Sequence, residues 1–596
     1  MKRALAGVLL ALPLLSGGLA AGQAAVKPFG LPVADPPGPG SWLFGQPYGN
    51  TVGAFLQGRN WYEAGQRLHF GVDISMPCGT ELVAIGDGTV LFVDDLGFGS
   101  GPHNLLIRHD AEDVISLYGH LLERPALNPG DSVRKGQPVA LSGDPDVTCD
   151  SRPHLHLELR SLDYFVTYNP LDYMEANWHA LAMAGPFRFP LFQQNLDDAR
   201  RWMDLHDQPD VAFGGPPLND YAATWPDLRN GEPPANPPLD RVLPAPGDYT
   251  AQPTATIGCC AGAWWDPADP LALLAIDGAA GQRAAVLRWS EANQLWMGPV
   301  SEAPPAYRSP DGSHTVTMSD GTAVITRLAD GVSWTVDTHG RWPALSPDNQ
   351  QLLWLRPAEN GTDDPPIETW IANADGSNAR AVASATGAYA YWLDADRLLI
   401  GRRELVTTTL GVYHTRTSEA YVLGSWNWLR GLSIGPGGKR LLFYTVWEDA
   451  HGLYTLETAA GAQAQRLPWF GGWRWRDADS VYLAPLDAAA TTTALLVANV
   501  ATGEAVPLTV EAPVMIGNGD WSVSADGQRL ALFNALDGRT WILRPSGEVQ
   551  PCRAGSPCYT SAIPRGRGVA VNILPCQGRD RGFEPRRPRS GWKWKS

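Results

Sequence analysis

SRPHLHLELR, residues 151–160, alternates leucine with a polar residue for three rounds. In a strand, positions two apart share a face, so His154, His156 and Glu158 point the same way, with neighbouring Cα atoms about 6.6 Å apart. Leu155, Leu157 and Leu159 fall on the opposite face, where a core takes them. A solvated strand face usually carries Thr, Lys or Ser. Two imidazoles and a carboxylate side by side pose a choice between a wet face and a chemical site, and the rest of the chain has to decide it.

Six of the twelve histidines lie between His69 and His156, which already suggests a site. Upstream, "RLHFGVDIS" places His69 four residues before Asp73. On a straight strand their Cα atoms would be about 13 Å apart, too far to share an ion. Gly71, Val72 and Ile74 disfavour a helix, but Gly71 permits a bend that shortens the span. His69, Asp73 and one histidine of His-Leu-His then form three N/O ligands with a position left for water, the pattern of catalytic zinc. No thiolate takes part, and no HExxH occurs anywhere in the chain.

The ordered series "HFGVDIS…GTELVAIGDGTVLFV…NLLIRHD…SLYGHL…NPGDSVRKGQPVALSG…RPHLHLE" resembles the LytM/lysostaphin-type zinc metalloendopeptidases, peptidase family M23, over about 90 residues. The resemblance implies a small antiparallel β domain that cleaves cross-bridge or stem peptides of bacterial peptidoglycan. It implies zinc ligands His69, Asp73 and His156, with His120 and His154 as catalytic histidines that are not ligands. On that reading His156 holds the metal while His154, on the same face, reaches the water or the scissile carbonyl. Glu158 is then either a brace for a histidine ring or a plain surface carboxylate. His109 reads as structural, and His103 as a loop-edge residue. The chain departs from the family in "GDPDVTCDSR", where a small Gly/Ser/Thr loop is usual. Asp150 and Arg152 there could narrow the cleft or change which peptide enters. Cys149 in that loop and Cys78 in "MPCGTEL" flank the ligand segments, and are either a bridge or two inert thiols.

The remaining sequence organises around this domain. Lys2 and Arg3, then the apolar run at 4–15 and small residues to Ala25, read as a signal peptide over 1–25, so export to the cell envelope or beyond is expected. Short apolar runs broken by glycine make 26–175 an antiparallel β domain. Residues 176–250 combine helical spacing in "LDYMEANWHALAMAG" and "QNLDDARRWMDLH" with a Pro-dense linker. From 251 to 576 a polar turn before an apolar strand recurs at Ser309, Ser346, Asp394, Gly435, Asp477 and Ser524, with a looser copy at Asp266. Intervals of roughly 37 to 48 residues suit four-stranded propeller blades, six or seven of them, against a competing β solenoid. The "SPDG" turns resemble those of propellers related to the periplasmic protein TolB. The fold expected is therefore mainly β, an M23-type domain followed by a β-propeller that serves as a docking module for a protein or glycan. The tail 577–596 holds seven basic and two acidic residues and is expected to be disordered.

A net charge of −16 opposes a nucleic-acid partner. No stretch after the signal is long and apolar enough for a transmembrane segment. Export permits further disulfides: Cys576 with Cys259 or Cys260 closing the propeller, and Cys552 with Cys558. Two alternatives stay open: a non-catalytic cell-wall binding or amidase-activating protein on the same fold, and a zinc endopeptidase acting on Gly-rich proteins.

Overall fold

The computed structural model describes residues 27–546 apart from 59, 61, 63–65, 185–192, 195–201, 219–241, 254–263, 267–268, 278–282, 291–294, 298–299, 302–306 and 360–364. The expected signal peptide, the basic tail, and Cys259, Cys260, Cys552, Cys558 and Cys576 lie outside the described residues. So does the stretch 547–576 of the expected propeller.

The first unit is almost entirely β. Its strands are β1 (Leu43–Phe44), β2 (Gly71–Ser75), β3 (Glu81–Val83), β4 (Gly88–Val93), β5 (Leu105–His109), β6 (Val114–Gly119), β7 (Ser132–Val133), β8 (Pro138–Leu141), β9 (His154–Ser161) and β10 (Val166–Tyr168). The main antiparallel sheet runs β1-β2-β9-β6-β5-β4-β7, with β3 and β8 forming a separate ladder. β9 is central because its alternation supplies a continuous apolar face: Leu155, Leu157 and Leu159 are fully buried in one core with Val72, Ile74, Leu105, Ile107 and Tyr118. Its other face is therefore free to carry chemistry. Cys78 and Cys149 are disulfide-bonded, tying the turn after β2 to the loop before β9.

Beyond residue 170 the expected helices shrink. After α1 (Val52–Gln57), the described helices are single turns, α2 (Pro170–Tyr173) and α3 (Trp178–Leu181). Trp202–Met203, expected in a helix, is strand β12, paired with β11 (Gln193–Gln194). Tertiary packing overrides the local spacing here: Trp178, Leu181 and Leu205 all enter the core of the first unit. Next, β13 (Val211–Ala212) pairs with β10 and extends the main sheet of the first unit. Gln208 accepts from the Asn50 amide at 3.1 Å, and Tyr48 donates to the Pro209 carbonyl at 3.2 Å. The segment 202–213 thus packs as part of the first unit.

The second unit comprises seven antiparallel sheets among the described residues, spanning 264–301, 307–336, 344–385, 388–427, 429–466, 471–507 and 516–545. Each repeated turn joins the first two strands of one sheet. In three of them the serine hydroxyl builds the turn: Ser309, Ser346 and Ser524 each donate to the aspartate two residues on and accept an amide five residues on. The last sheet takes its outer strand from the beginning of the unit, β14 (Tyr249–Pro253), which lies antiparallel to Arg539–Pro545 with Tyr249 opposite Pro545. The strand Trp264–Asp266 of the first sheet lies beside Ile516–Val523 of the last, so the sheets close into a seven-bladed β-propeller rather than a solenoid. Among the described residues this ring is closed by β14 pairing with Arg539–Pro545.

The two units are in direct contact. Leu43 joins an apolar cluster of the propeller, Met183 joins another, and Leu486 and Ala488 pack against the core of the first unit. The Trp447 amide donates to the Pro39 carbonyl at 2.8 Å, and Asn177 bonds to the Ala490 carbonyl. Among the described residues no helix is long and apolar enough to cross a membrane.

Candidate metal centre

Register assembles the centre. Asp73 on β2 is directly opposite His156 on β9, and Gly119 at the end of β6 is opposite His156 on its other side. Asp73, His154 and His156 therefore share one face, and His120 follows immediately after β6 with a positive φ of 56°. His69 lies two residues before β2, outside the regular strand, in a bridge with Gly49. That departure from strand geometry closes the span: His69 Nε2 is 3.0 Å from Asp73 Oδ1. Gly71 matters for space rather than conformation, since a Cβ there would lie 2.5 Å from the Leu157 carbonyl oxygen and 2.8 Å from the His156 ring.

His69 Nε2, His156 Nδ1 and Asp73 Oδ1 face one another at 3.1, 2.9 and 3.0 Å. In a tetrahedral zinc site with bonds of 2.0–2.1 Å, neighbouring ligand atoms are ~3.3 Å apart, so a small expansion accommodates an ion. The outer nitrogens set the tautomers. His69 Nδ1–H donates to the Pro47 carbonyl at 2.7 Å, leaving Nε2 for a cation. His156 Nε2–H donates to Glu158 at 3.0 Å, leaving Nδ1. Glu158 is buried and accepts from Arg160 Nε at 2.7 Å, so it is the brace and not a surface carboxylate. Arg160 donates to the Phe98 carbonyl at 3.1 Å and lies over the Phe213 ring at 4.5 Å.

The other two histidines present Nε2 to the same space. His120 Nδ1 donates to the Gly101 carbonyl at 2.5 Å, and His154 Nδ1 to the Arg152 carbonyl at 2.6 Å. Their rings are 4.8 Å apart, and His120 is 5.7 Å from the His156 ring. Burial, reinforced by the neighbouring histidine charges, pushes the His120 imidazole well below its usual range; burial lowers His154 as well, against the pull of Asp73. Both rings are therefore neutral at pH 7. Burial opposes the charge of Asp73, but His69 and His154 with bonds from His156 and His69 outweigh it and hold the carboxyl well below its ordinary range. For His156, bonds to Asp73 and Glu158 overcome burial and carry the metal-free ring up to about 9.

His109 and His103 fall outside this group. His109 is a satisfied core residue, bonded to the Asp87 carbonyl and the Ser116 hydroxyl. His103 pairs with Asp94 at 2.9 Å. In the departing loop, buried Asp144 accepts the amides of Ser151 and Arg152, which fixes the carbonyl that orients His154. Sequence reasoning missed the three orienting carbonyls and Arg160. The carbonyls have no side-chain signal, whereas Arg160 was legible as the next residue on the face of Glu158.

Two imidazoles and a carboxylate facing one another, with two further imidazoles beside them, form a cluster of the kind that can hold a single metal ion. Residues 67–170 match the family model "Peptidase family M23", and the chain carries an M23 peptidase domain there. An "Uncharacterized metalloprotease" of Haemophilus influenzae is 38% identical over 92 residues, 15% of this chain and 18% of that protein. "Peptidoglycan DD-endopeptidase ShyA" of Vibrio cholerae is 30% identical over 109 residues, 18% of this chain and 23% of that protein. The chain thus spans under a quarter of the length of either relative. Over the second unit, TolB from Acinetobacter baumannii is 12% identical with a TM-score of 0.26, covering 44% of this chain and 76% of that one.

Proposed function

We propose that the protein is an exported zinc endopeptidase that hydrolyses peptide bonds in bacterial peptidoglycan, with the propeller as its docking module for a wall-associated protein or glycan. The observation that carries the reading is the convergence of His69 Nε2, Asp73 Oδ1 and His156 Nδ1 beside the two neutral rings of His120 and His154. Zinc held by those three residues supplies a Lewis acid that polarises a carbonyl and acidifies water. The protein's own contribution is proton handling. His154 and His120, each pinned through Nδ1, offer a bare Nε2 that takes a proton from water and, once protonated, donates to a developing oxyanion or leaving amine. Retention of every residue in this set favours catalysis over a purely binding or amidase-activating role. The name of the Vibrio cholerae relative supports peptidoglycan as the substrate class, and the apolar run at residues 4–15 supports the envelope as the location.

The test is mass spectrometry of fragments released by the purified protein from sacculi, in parallel with a Gly-rich protein. Muropeptides cut at a peptide bond, released far more slowly by His154→Ala, are expected. Cleavage of the Gly-rich protein alone would move the substrate to that class, and no cleavage of either would favour the non-catalytic alternative.

A further inference from the structure

A second group of ligand-type side chains converges among the described residues. His179, Asp204 and His206 place one ligand atom each within 4.8 Å of one another. His179 belongs to α3. Asp204 and His206 flank Leu205, whose side chain is fully buried in the peptidase core and whose carbonyl accepts from Asn169 Nδ2 at 2.8 Å. Anchoring that leucine inward leaves its two neighbours to meet His179 outside the core.

The hydrogen bonding of this group is incomplete. His179 Nε2 is 3.8 Å from Asp204 Oδ1, beyond hydrogen-bond reach, and its Nδ1 is buried with no hydrogen bond. The side chain is only 15% exposed, so an imidazole with neither nitrogen bonded asks for a missing partner. His206 is prepared as a ligand. Its Nδ1 donates to Asp172 at 2.6 Å, which leaves the Nε2 lone pair bare, as a carboxylate does behind metal-bound histidines. The two rings are 5.7 Å apart and nearly perpendicular, so they do not stack face to face.

We propose that His179, Asp204 and His206 form a second divalent transition-metal site, of zinc type, that fastens the 204–206 segment to α3. Two imidazoles with one carboxylate suit zinc and its borderline neighbours, whereas calcium and magnesium select oxygen ligands. Contracting ligand atoms that lie within 4.8 Å of one another to the ~3.3 Å edges of a tetrahedral site requires about 0.5 Å of movement for His179 Nε2 and Asp204 Oδ1, and at most about 1.5 Å for any pair. The position gives the site a role. Asn177, before α3, bonds to the propeller's Ala490 carbonyl, and Met183, after it, lies in a propeller cluster. A metal here would hold the chain leaving the peptidase unit where that unit meets the propeller.

The test counts metal with the first centre disabled. His69→Ala/His156→Ala full-length protein, equilibrated with zinc and freed of excess, is expected to keep one zinc per chain by elemental analysis and to gain thermal stability from zinc. Adding His179→Ala or His206→Ala should abolish both. Absence of bound zinc in the double variant, or zinc that survives the added substitution, would overturn the site and leave a packing contact only. If the double variant does not fold, His206→Ala in the otherwise native chain serves, because that ring is partly exposed. A fall from two zinc ions per chain to one supports the site, and an unchanged count overturns it.

Discussion

Removing the Glu158 carboxylate separates what holds the fold from what orients the metal. Glu158 is 4% exposed and bridges His156 Nε2–H at 3.0 Å and Arg160 Nε at 2.7 Å. Burial alone would raise its carboxyl, but the Arg160 charge and the bond from His156 outweigh it and bring it down to about 2. The folded value lies below the unfolded one, so its stabilisation is present above pH 4.5 and is lost as pH falls from 4.5 toward 2. At pH 7 it amounts to about 3 kcal/mol, the same order as the 3–5 kcal/mol expected when one partner of a buried ion pair is deleted. Glu158→Ala should therefore lose about 3 kcal/mol in urea denaturation with chelator at pH 7, and the gap should narrow below pH 4.5. Its zinc affinity, read by chelator competition, should fall about 10- to 100-fold because the His156 ring loses its acceptor. Glu158→Leu/Arg160→Met, which replaces the pair by apolar volume, should recover most of the stability but none of the affinity. The reasoning fails if Glu158→Ala binds zinc within twofold of wild type, or if the double variant regains full affinity.

Three other outcomes follow from the same geometry. His69→Ala, Asp73→Ala and His156→Ala should each lose first-site zinc and hydrolysis, whereas His120→Ala and His154→Ala should keep that zinc and turn over about 10²- to 10⁴-fold more slowly, as measured by metal content alongside muropeptide release. Reduction of Cys78–Cys149, which are separated by 71 residues, should cost about 4 kcal/mol in the loop-entropy model; equal melting temperatures with and without reductant would refute it. A fragment ending at residue 185 lacks Leu205, Gln208 and β13, whereas one ending at 218 keeps them. Truncating one buried leucine alone costs about 2–5 kcal/mol, so circular dichroism melts should show the longer fragment to be markedly more stable.

Periodicity made much of this protein legible without coordinates. A period of two in residues 154–159 determines which side chains face the core and which face the cleft, because strand geometry offers only two faces. The recurring turns likewise announce blades, since Ser309, Ser346 and Ser524 shape their hairpins through contacts within five residues. Local chemistry of that kind is written locally. Tertiary structure alone decided what depends on distant partners: Asp73 meeting His156 through sheet register, and the Pro47, Gly101 and Arg152 carbonyls selecting tautomers. It also decided the ring closure by β14 and the collapse of 202–213 onto the peptidase sheet. A backbone carbonyl has no residue type, and β14 finds Arg539–Pro545 nearly three hundred residues away, so neither leaves a mark in any short window of sequence.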